Sequence, residues 1–513
     1  MEQVANHNVP VPYLVVGAGL LLFLYRTVVK FVENGRIRRL GARAPVRKAY
    51  LPWGFDMAYH MISHASRDAV YEMYTAMYEK YAGPGRYTVE ADVGERVILT
   101  ADPENIKAIL ATQFKEYGKG EQFRKDWHAF LGNGVFTTDG QLWHNSRQLI
   151  RPQFVKDRLS DLDIFEEHVQ VMMSKLGQGQ AIDTMDMMFR FTLDAATHFL
   201  LGHSVNSLQN PETKFADAFG NAQRVQAMIA RVGPLNWLIP RQRMGFYDSI
   251  KTINDFVDGF IDEALALSTT ELEAKTSHDN GYTFLHAIAG YTRDRKVLRD
   301  QLVSVLLAGR DTTACTLTWA LYHLSTSPAI MTKLRQEIVD QVGVDDTPTY
   351  DQLKNMKYLQ HVLNETLRLY PVVPFNVRVA LVDTTLPVGG GPDGSQAIGV
   401  LKGTPIAYST LVMQRRADVY PAAGSAGFPF PPVEAFVPER WDGWTPKSWT
   451  YVPFNGGPRI CIGQQFALTE MGYTLVRLFQ RFQGVRHVGG GEHPGLHVDI
   501  VLQPAREVKV EFY

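Results

Sequence analysis

Between Leu51 and about residue 370 the apolar residues recur mostly at helical spacing, which commits most of the chain to packed helices. An extended exception is "YTVEADVGERVILTAD", residues 87–102, which reads as a hairpin turning at Gly94. Beyond Pro371 the texture changes to short β-rich pieces and turns, then a helix from Ile462 to about Phe482, then a strand-like tail ending at Tyr513. The expected fold class is mainly α with a smaller β-rich part. With 513 residues and 45% apolar composition, the chain can bury one large core or two closely joined ones. There is no internal repeat.

The N-terminus carries a separate message. "VPVPYLVVGAGLLLFLY", Val9 to Tyr25, has no charge over 17 residues, near the lower limit for a membrane-spanning helix. No Lys or Arg precedes it, whereas Arg26, Lys30, Arg36, Arg38, Arg39, Arg43, Arg47 and Lys48 follow, an asymmetry that leaves the rest of the chain in the cytosol. The expected organisation is a membrane anchor over residues 1–32, a basic Pro/Gly hinge over 33–50, and one large domain over 51–513. A buried N-terminal helix is the alternative. Two cysteines, Cys315 and Cys461, build no disulfide framework and fit a reducing compartment. A net charge of −1 gives no sign of a nucleic-acid partner.

Two motifs are formal only. "GGGPDG", Gly389 to Gly394, satisfies a dinucleotide-binding pattern but leads into the alternating "SQAIGVLKGT" instead of a helix, so it reads as a hairpin turn. "NET" at Asn364 is a glycosylation acceptor in the middle of a predicted helix and is expected to be unused.

Three stretches carry chemistry. In "YVPFNGGPRICIGQQ", residues 451–465, Cys461 precedes a predicted helix whose free N–H groups favour a thiolate and lower its pKa. Gly456, Gly457 and Gly463 clear space for something flat, and Arg459 offers a cation; a haem meets these demands, while a buried inert cysteine is the plainer reading. Residues 298–325 form a long apolar helix whose centre holds Gly309, Arg310, Asp311, Thr312 and Thr313, which points to a kink, a cavity or a proton path, or to a solvated polar face. In "LNETLRLYPVVPFNVR", Glu365 and Arg368 share a helix face among leucines, and Arg440 in "FVPERW" is the expected third member of a buried ion-pair group.

Together these stretches resemble the signature of the cytochrome P450 family. Phe454, Gly457, Arg459, Cys461 and Gly463 match the haem-binding pattern, "AGRDTT" resembles the oxygen-activation segment, and Glu365, Arg368 and Arg440 resemble the structural triad. Trp143 and Arg147 in "LWHNSR" match residues that contact a haem propionate in the family, and Arg378 occupies the position of another propionate partner. "NETLRLYP" and "YVPFNGGPRICIGQQFALTE" look most like the fungal n-alkane and fatty-acid hydroxylases. "QRRADVYPAAGSAGFPFPP", residues 414–432, is longer and richer in Gly and Pro than the corresponding stretch of those enzymes.

The resemblance implies a P450 fold, one large domain behind a transmembrane helix, with non-covalent haem b whose iron takes Cys461 as axial ligand. Gln301 occupies the position from which a glutamate esterifies haem in some animal relatives, hence the non-covalent expectation. Asp311 and Thr312 would relay protons, and Gly309 would open the helix for dioxygen. Electrons would come from NADPH-cytochrome P450 reductase at the endoplasmic reticulum membrane, with the catalytic domain facing the cytosol. The implied reaction inserts one oxygen atom of O2 into a lipophilic substrate, a fatty acid, alkane or related chain. Alternatives are oxidation of a polyketide or other fungal secondary metabolite, a haem-thiolate isomerase or dehydratase, and a haem sensor or carrier. By position, Leu306, Leu307, Val372, Val373, Phe375 and Val501 would face the substrate, together with the stretches Phe123 to Phe136 and Ile500 to Leu502.

Overall fold

A computed structural model describes residues 11–51, 54–93, 95–154, 162–275, 283–420 and 432–513, apart from the side chains of residues 11–16, 18, 234 and 235. Eight helices matter for the site: α1 Val11–Leu40, α2 Gly140–Ile150, α3 Asp163–Lys175, α4 Thr184–Leu201, α5 Lys214–Val232, α6 Arg295–Thr326, α7 Lys357–Leu369 and α8 Gln464–Arg481. Helix α6 runs through the centre. Asp294 caps its start by accepting from the Lys296 and Val297 N–H groups, and Pro328 opens the helix that follows. Leu298, Leu302, Leu306, Leu317, Trp319, Leu321 and Leu324 are all buried, because apolar side chains spread around a helix are stable only when other elements wrap it. Helix α4 packs along it, with α7 and α8 on further sides.

Among the described residues the β-rich part forms four small sheets. Strands β1 Val46–Arg47, β2 Thr88–Asp92, β3 Arg96–Thr100, β4 Tyr117–Gly118, β6 Phe375–Ala380 and β9 Pro405–Ser409 form a six-stranded mixed sheet in the order β1-β2-β3-β9-β6-β4. Strand β5 Ala181–Asp183 joins β10 Val485–His487 and β13 Lys509–Phe512 in a second sheet, and β11 Leu496–Val498 pairs with β12 Leu502–Pro504. Strands β7 Thr384–Gly390 and β8 Gln396–Val400 are an antiparallel hairpin, so "GGGPDG" is a turn, with Gly391 and Gly394 at φ 76° and 78°. The hairpin expected over residues 87–102 is present as β2 and β3; its turn residue Gly94 lies outside the described residues. Asn364 sits inside α7, where its side-chain oxygen accepts from the Tyr451 hydroxyl.

Two expectations concern the N-terminal region. Among the described residues no helix is long and apolar enough to cross a membrane, and much of Val9 to Tyr25 lies outside the described side chains. Residues 33–50 do not stand free: α1 continues to Leu40, Ala42 bridges to Ile398, and β1 pairs in parallel with β2. Glu90, fully buried on β2, holds Arg43 and Arg96 in one ion-pair group. Short as it is, the basic Pro/Gly stretch packs because a buried carboxylate needs cations.

Candidate active site

Helix α7 is amphipathic, and its buried face carries Glu365 and Arg368 one turn apart, both fully buried. Arg368 donates from Nε to Glu365 Oε2 and from Nη2 to Oε1, both at 2.8 Å, a bidentate geometry. Arg440 Nε donates to the same Oε1 at 3.2 Å. Two donors that the sequence reading missed complete the group: Trp441 Nε1 at 3.1 Å and the Val437 N–H at 3.0 Å. A neighbour also missed, the fully buried Gln414, links this network to the cysteine loop. Its Nε2 donates to the Leu367 and Arg368 carbonyls, and its Oε1 accepts from the Val452 N–H. Two residues further on, the Phe454 carbonyl accepts from Cys461 N at 3.0 Å. The ion pairs therefore hold the loop from which Cys461 projects.

Cys461 opens onto a cleft of about 640 Å³ lined also by Trp143, Arg147, Arg151, Phe154, Gly457, Pro458 and Ile462. The helix begins at Gln464, with Gly463 as its N-cap, two residues later than expected. Burial pushes the Cys461 thiol up, while the Gly463 N–H and the positive charge of Arg147 pull it down. The expected lowering is thus not achieved by protein groups alone. The loop glycines also have local reasons. A Cβ on Gly457, at φ 64°, would lie 1.9 Å from the Leu110 carbonyl oxygen, and one on Gly456 would meet the Trp449 ring at 2.5 Å. Close packing within the protein, as well as room for a ligand, demands them.

Beside Arg147 and Arg151 of the cleft wall gather further cations. Arg459 lies over Trp143 at 4.6 Å, donates from Nη2 to Asp139 Oδ1 at 2.7 Å and to the Thr138 carbonyl, and has a buried Nε without a partner. Burial and the charge of Arg378 lower its pKa to about 10. Lys119, absent from the sequence reading, is held well below its ordinary value by burial and by Arg378 and Arg459. Arg378 is buried, and Arg147 adds a further charge against Arg459. The Asp139 carboxylate opposes the crowding at both Lys119 and Arg459. Crowded cations with an orphaned guanidinium nitrogen fit an anionic ligand, and the two carboxylates of a haem have the required charge.

On α6, Asp311 is buried and its carboxyl is pushed up by burial, against the charge of Arg310. Arg310 Nη1 donates to Asp311 Oδ1 at 3.1 Å and to Gln223 Oε1 at 2.9 Å. Gln223 Nε2 donates to Asp311 Oδ2 in turn, so the acid is tied to α5. The Thr312 hydroxyl donates to the Ala308 carbonyl at 2.7 Å. The opening expected at Gly309 is not seen: α6 is continuous, and a Cβ at Gly309 would meet Ala196 of α4 at an ordinary 3.7 Å. The residues expected to face the substrate belong to neighbouring apolar clusters. Leu306 and Leu307 pack with Phe130 and Phe219, whereas Val372 and Val501 pack with Cys315, Leu367 and Phe454. Ile500 touches both groups, Phe375 packs on Tyr74 at 4.3 Å between ring centres, and Val373 is partly buried.

Behind α6 stands another acid, Glu470 of α8, buried and hydrogen-bonded by the neighbouring Thr313 of α6. Burial raises its pKa from 4.5 to about 8. The folded state then keeps a proton that the unfolded chain releases, so stability falls as pH rises from 4.5 towards about 8. The slope is about 1.4 kcal/mol per pH unit while the two states differ. Glu470→Gln is expected to flatten this dependence, gaining stability over wild type at pH 8 but not at pH 4, as read by denaturant midpoints.

Comparison with known proteins extends these observations across the chain. The cytochrome P450 family model matches residues 52–512. "Cytochrome P450 monooxygenase pvhE" of Talaromyces variabilis is 48% identical, with 96% of this chain and 94% of that protein covered. "Cytochrome P450 52A1" of Candida tropicalis is 42% identical over 78% of this chain and 75% of its own. In fold, the crystal structure of the cytochrome P450DA heme domain superimposes with a TM-score of 0.75 at 20% identity, covering 92% of this chain and 98% of that one. At these identities and coverages, the chain belongs to the cytochrome P450 family of monooxygenases, which bind haem b through a cysteine thiolate.

Proposed function

We propose that this P450 inserts one oxygen atom of O2 into a C–H bond of a lipophilic substrate, with a fatty acid, alkane or related aliphatic chain as the substrate class. The observation that carries the monooxygenase reading is the buried Asp311 beside Thr312 on α6, since an isomerase, dehydratase or haem carrier has no need of a proton source there. Haem b, when bound through Cys461, supplies the iron centre at which dioxygen is activated. The chain supplies the surroundings. Trp143, Arg147, Arg378 and Arg459, with Lys119, hold the carboxylates; Phe454, Gly457 and Gly463 shape the loop around the thiolate. Asp311, its carboxyl raised by burial, is the acid beside Thr312 through which protons would pass, and Gly309 keeps that helix face free of a side chain. Leu306, Leu307, Val372, Val373, Phe375 and Val501 give the substrate an apolar wall. Glu365, Arg368 and Arg440 hold the cysteine loop in place and do not react.

Electrons come from NADPH-cytochrome P450 reductase, and α1 anchors the protein at the endoplasmic reticulum membrane with the catalytic domain in the cytosol. Exposed Leu21, Phe23 and Phe31 on α1 support that anchoring. A second reading, oxidation of a fungal secondary metabolite, draws support from the Gly- and Pro-rich stretch over residues 414–432, which departs from the aliphatic hydroxylases. Reconstitution with a fungal reductase, NADPH and a panel of medium- and long-chain fatty acids and alkanes is expected to yield hydroxylated chains. Absence of any NADPH-dependent product across the panel overturns the aliphatic reading. In the same assay Thr312→Ala is expected to consume NADPH with a several-fold smaller share of product.

A further inference from the structure

Helices α3 and α4 bring two histidines face to face. His168 of α3, buried, has its Nε2 3.1 Å from Nδ1 of His198 on α4, with the rings nearly perpendicular at 80°. Glu167, beside His168 in the chain, brings Oε2 to 3.8 Å from the same His198 nitrogen. All three ligand atoms lie within 4.8 Å of one another. Imidazole nitrogens aimed at each other share either a proton or a cation, and the adjacent carboxylate favours a cation of higher charge.

The spacing suits a tetrahedral ion. Ligands about 2.05 Å from zinc stand about 3.3 Å apart along a tetrahedral edge, close to the histidine separation. The Glu167 side chain is 61% exposed, so it can rotate to close the remaining gap, and its solvent side leaves a fourth position for water. We propose that Glu167, His168 and His198 form a site for a divalent transition metal, zinc in the first instance. Two imidazoles select against magnesium and calcium, which take oxygen ligands. A bound ion joins α3 to α4, the helix whose Thr192 hydroxyl donates to the Arg310 carbonyl of α6. The site therefore braces the layer behind Asp311 without touching the haem cleft.

The test uses chelator-treated holoprotein, free of any polyhistidine tag, dialysed against zinc chloride and analysed for bound metal. One equivalent of zinc with a Kd at or below about 1 μM is expected, and none of magnesium under the same conditions. His198→Ala and Glu167→Gln, neither a buried residue, are each expected to weaken zinc binding at least about tenfold. Their reduced carbon monoxide spectra should match that of the parent, which shows that the fold and haem site survive. Zinc binding only in the millimolar range, or micromolar binding that neither substitution weakens, overturns the assignment.

Discussion

Replacement of Cys461 by alanine is expected to abolish the red-shifted Soret band of the reduced carbon monoxide complex, because that band reports a thiolate on the iron. NADPH-dependent product should fall at least about 10³-fold, a barrier change of roughly 4 kcal/mol at 1.36 kcal/mol per tenfold. The prediction is specific because Cys315, the chain's other cysteine, cannot substitute. It is fully buried within α6, packed against Leu367, Val372 and Val501, and its thiol is pushed well above its ordinary pKa. Cys461→Ala removes little packing, since the residue opens onto the cleft. Far-ultraviolet circular dichroism should therefore be unchanged while the spectrum and activity are lost. A thiolate-type carbon monoxide band retained in Cys461→Ala would overturn the ligand assignment.

The second large effect is expected at Glu365. Glu365→Ala leaves the guanidinium groups of Arg368 and Arg440 fully buried without their shared carboxylate, a loss of about 3–5 kcal/mol. Against a typical total of about 5–15 kcal/mol, that threatens the fold itself. The damage should also reach the haem site, since Gln414 ties the same helix end to Val452 beside the cysteine loop. Denaturant unfolding of whatever protein is recovered should show the lowered midpoint, and haem content per chain should fall with it. Gln414→Ala should keep the ion pairs yet lower haem content, separating the network's two roles. If Glu365→Ala unfolds at the wild-type midpoint, the buried ion pairs are not what holds this region.

Much of the site was legible because its parts are local in sequence. Glu365 and Arg368 lie at i, i+3 on one helix face, and Cys461 stands a few residues from Arg459 and the glycines, so spacing alone brings each set together. Lys119, Gln223 and Gln414 were not legible, because each enters the site from a separate stretch of chain and an isolated Lys or Gln carries no local pattern to mark it; Trp441 stood beside Arg440 in "FVPERW" without a pattern that gave it a role. The glycine loop was read for the right location but an incomplete reason: Gly457 also serves the Leu110 carbonyl, a contact between segments far apart in the chain.

The same division explains the expectations that changed. Gly309 predicts a weak point in α6 from helix propensity, but α6 is continuous there and packs along α4. A basic Pro/Gly stretch predicts a loose hinge, but Glu90, buried on β2, draws Arg43 onto the sheet beside Arg96 of β3. The sequence by itself determined the helical body, the cysteine loop and the Glu365–Arg368 pair, because periodicity and short-range spacing encode them directly, and the conjunction of motifs marked the family. Only the tertiary structure decided which cations crowd the cleft, how Asp311 is tethered and where the cysteine loop is anchored. Those properties arise from burial and from charges on distant segments, and neither quantity exists until the chain has folded.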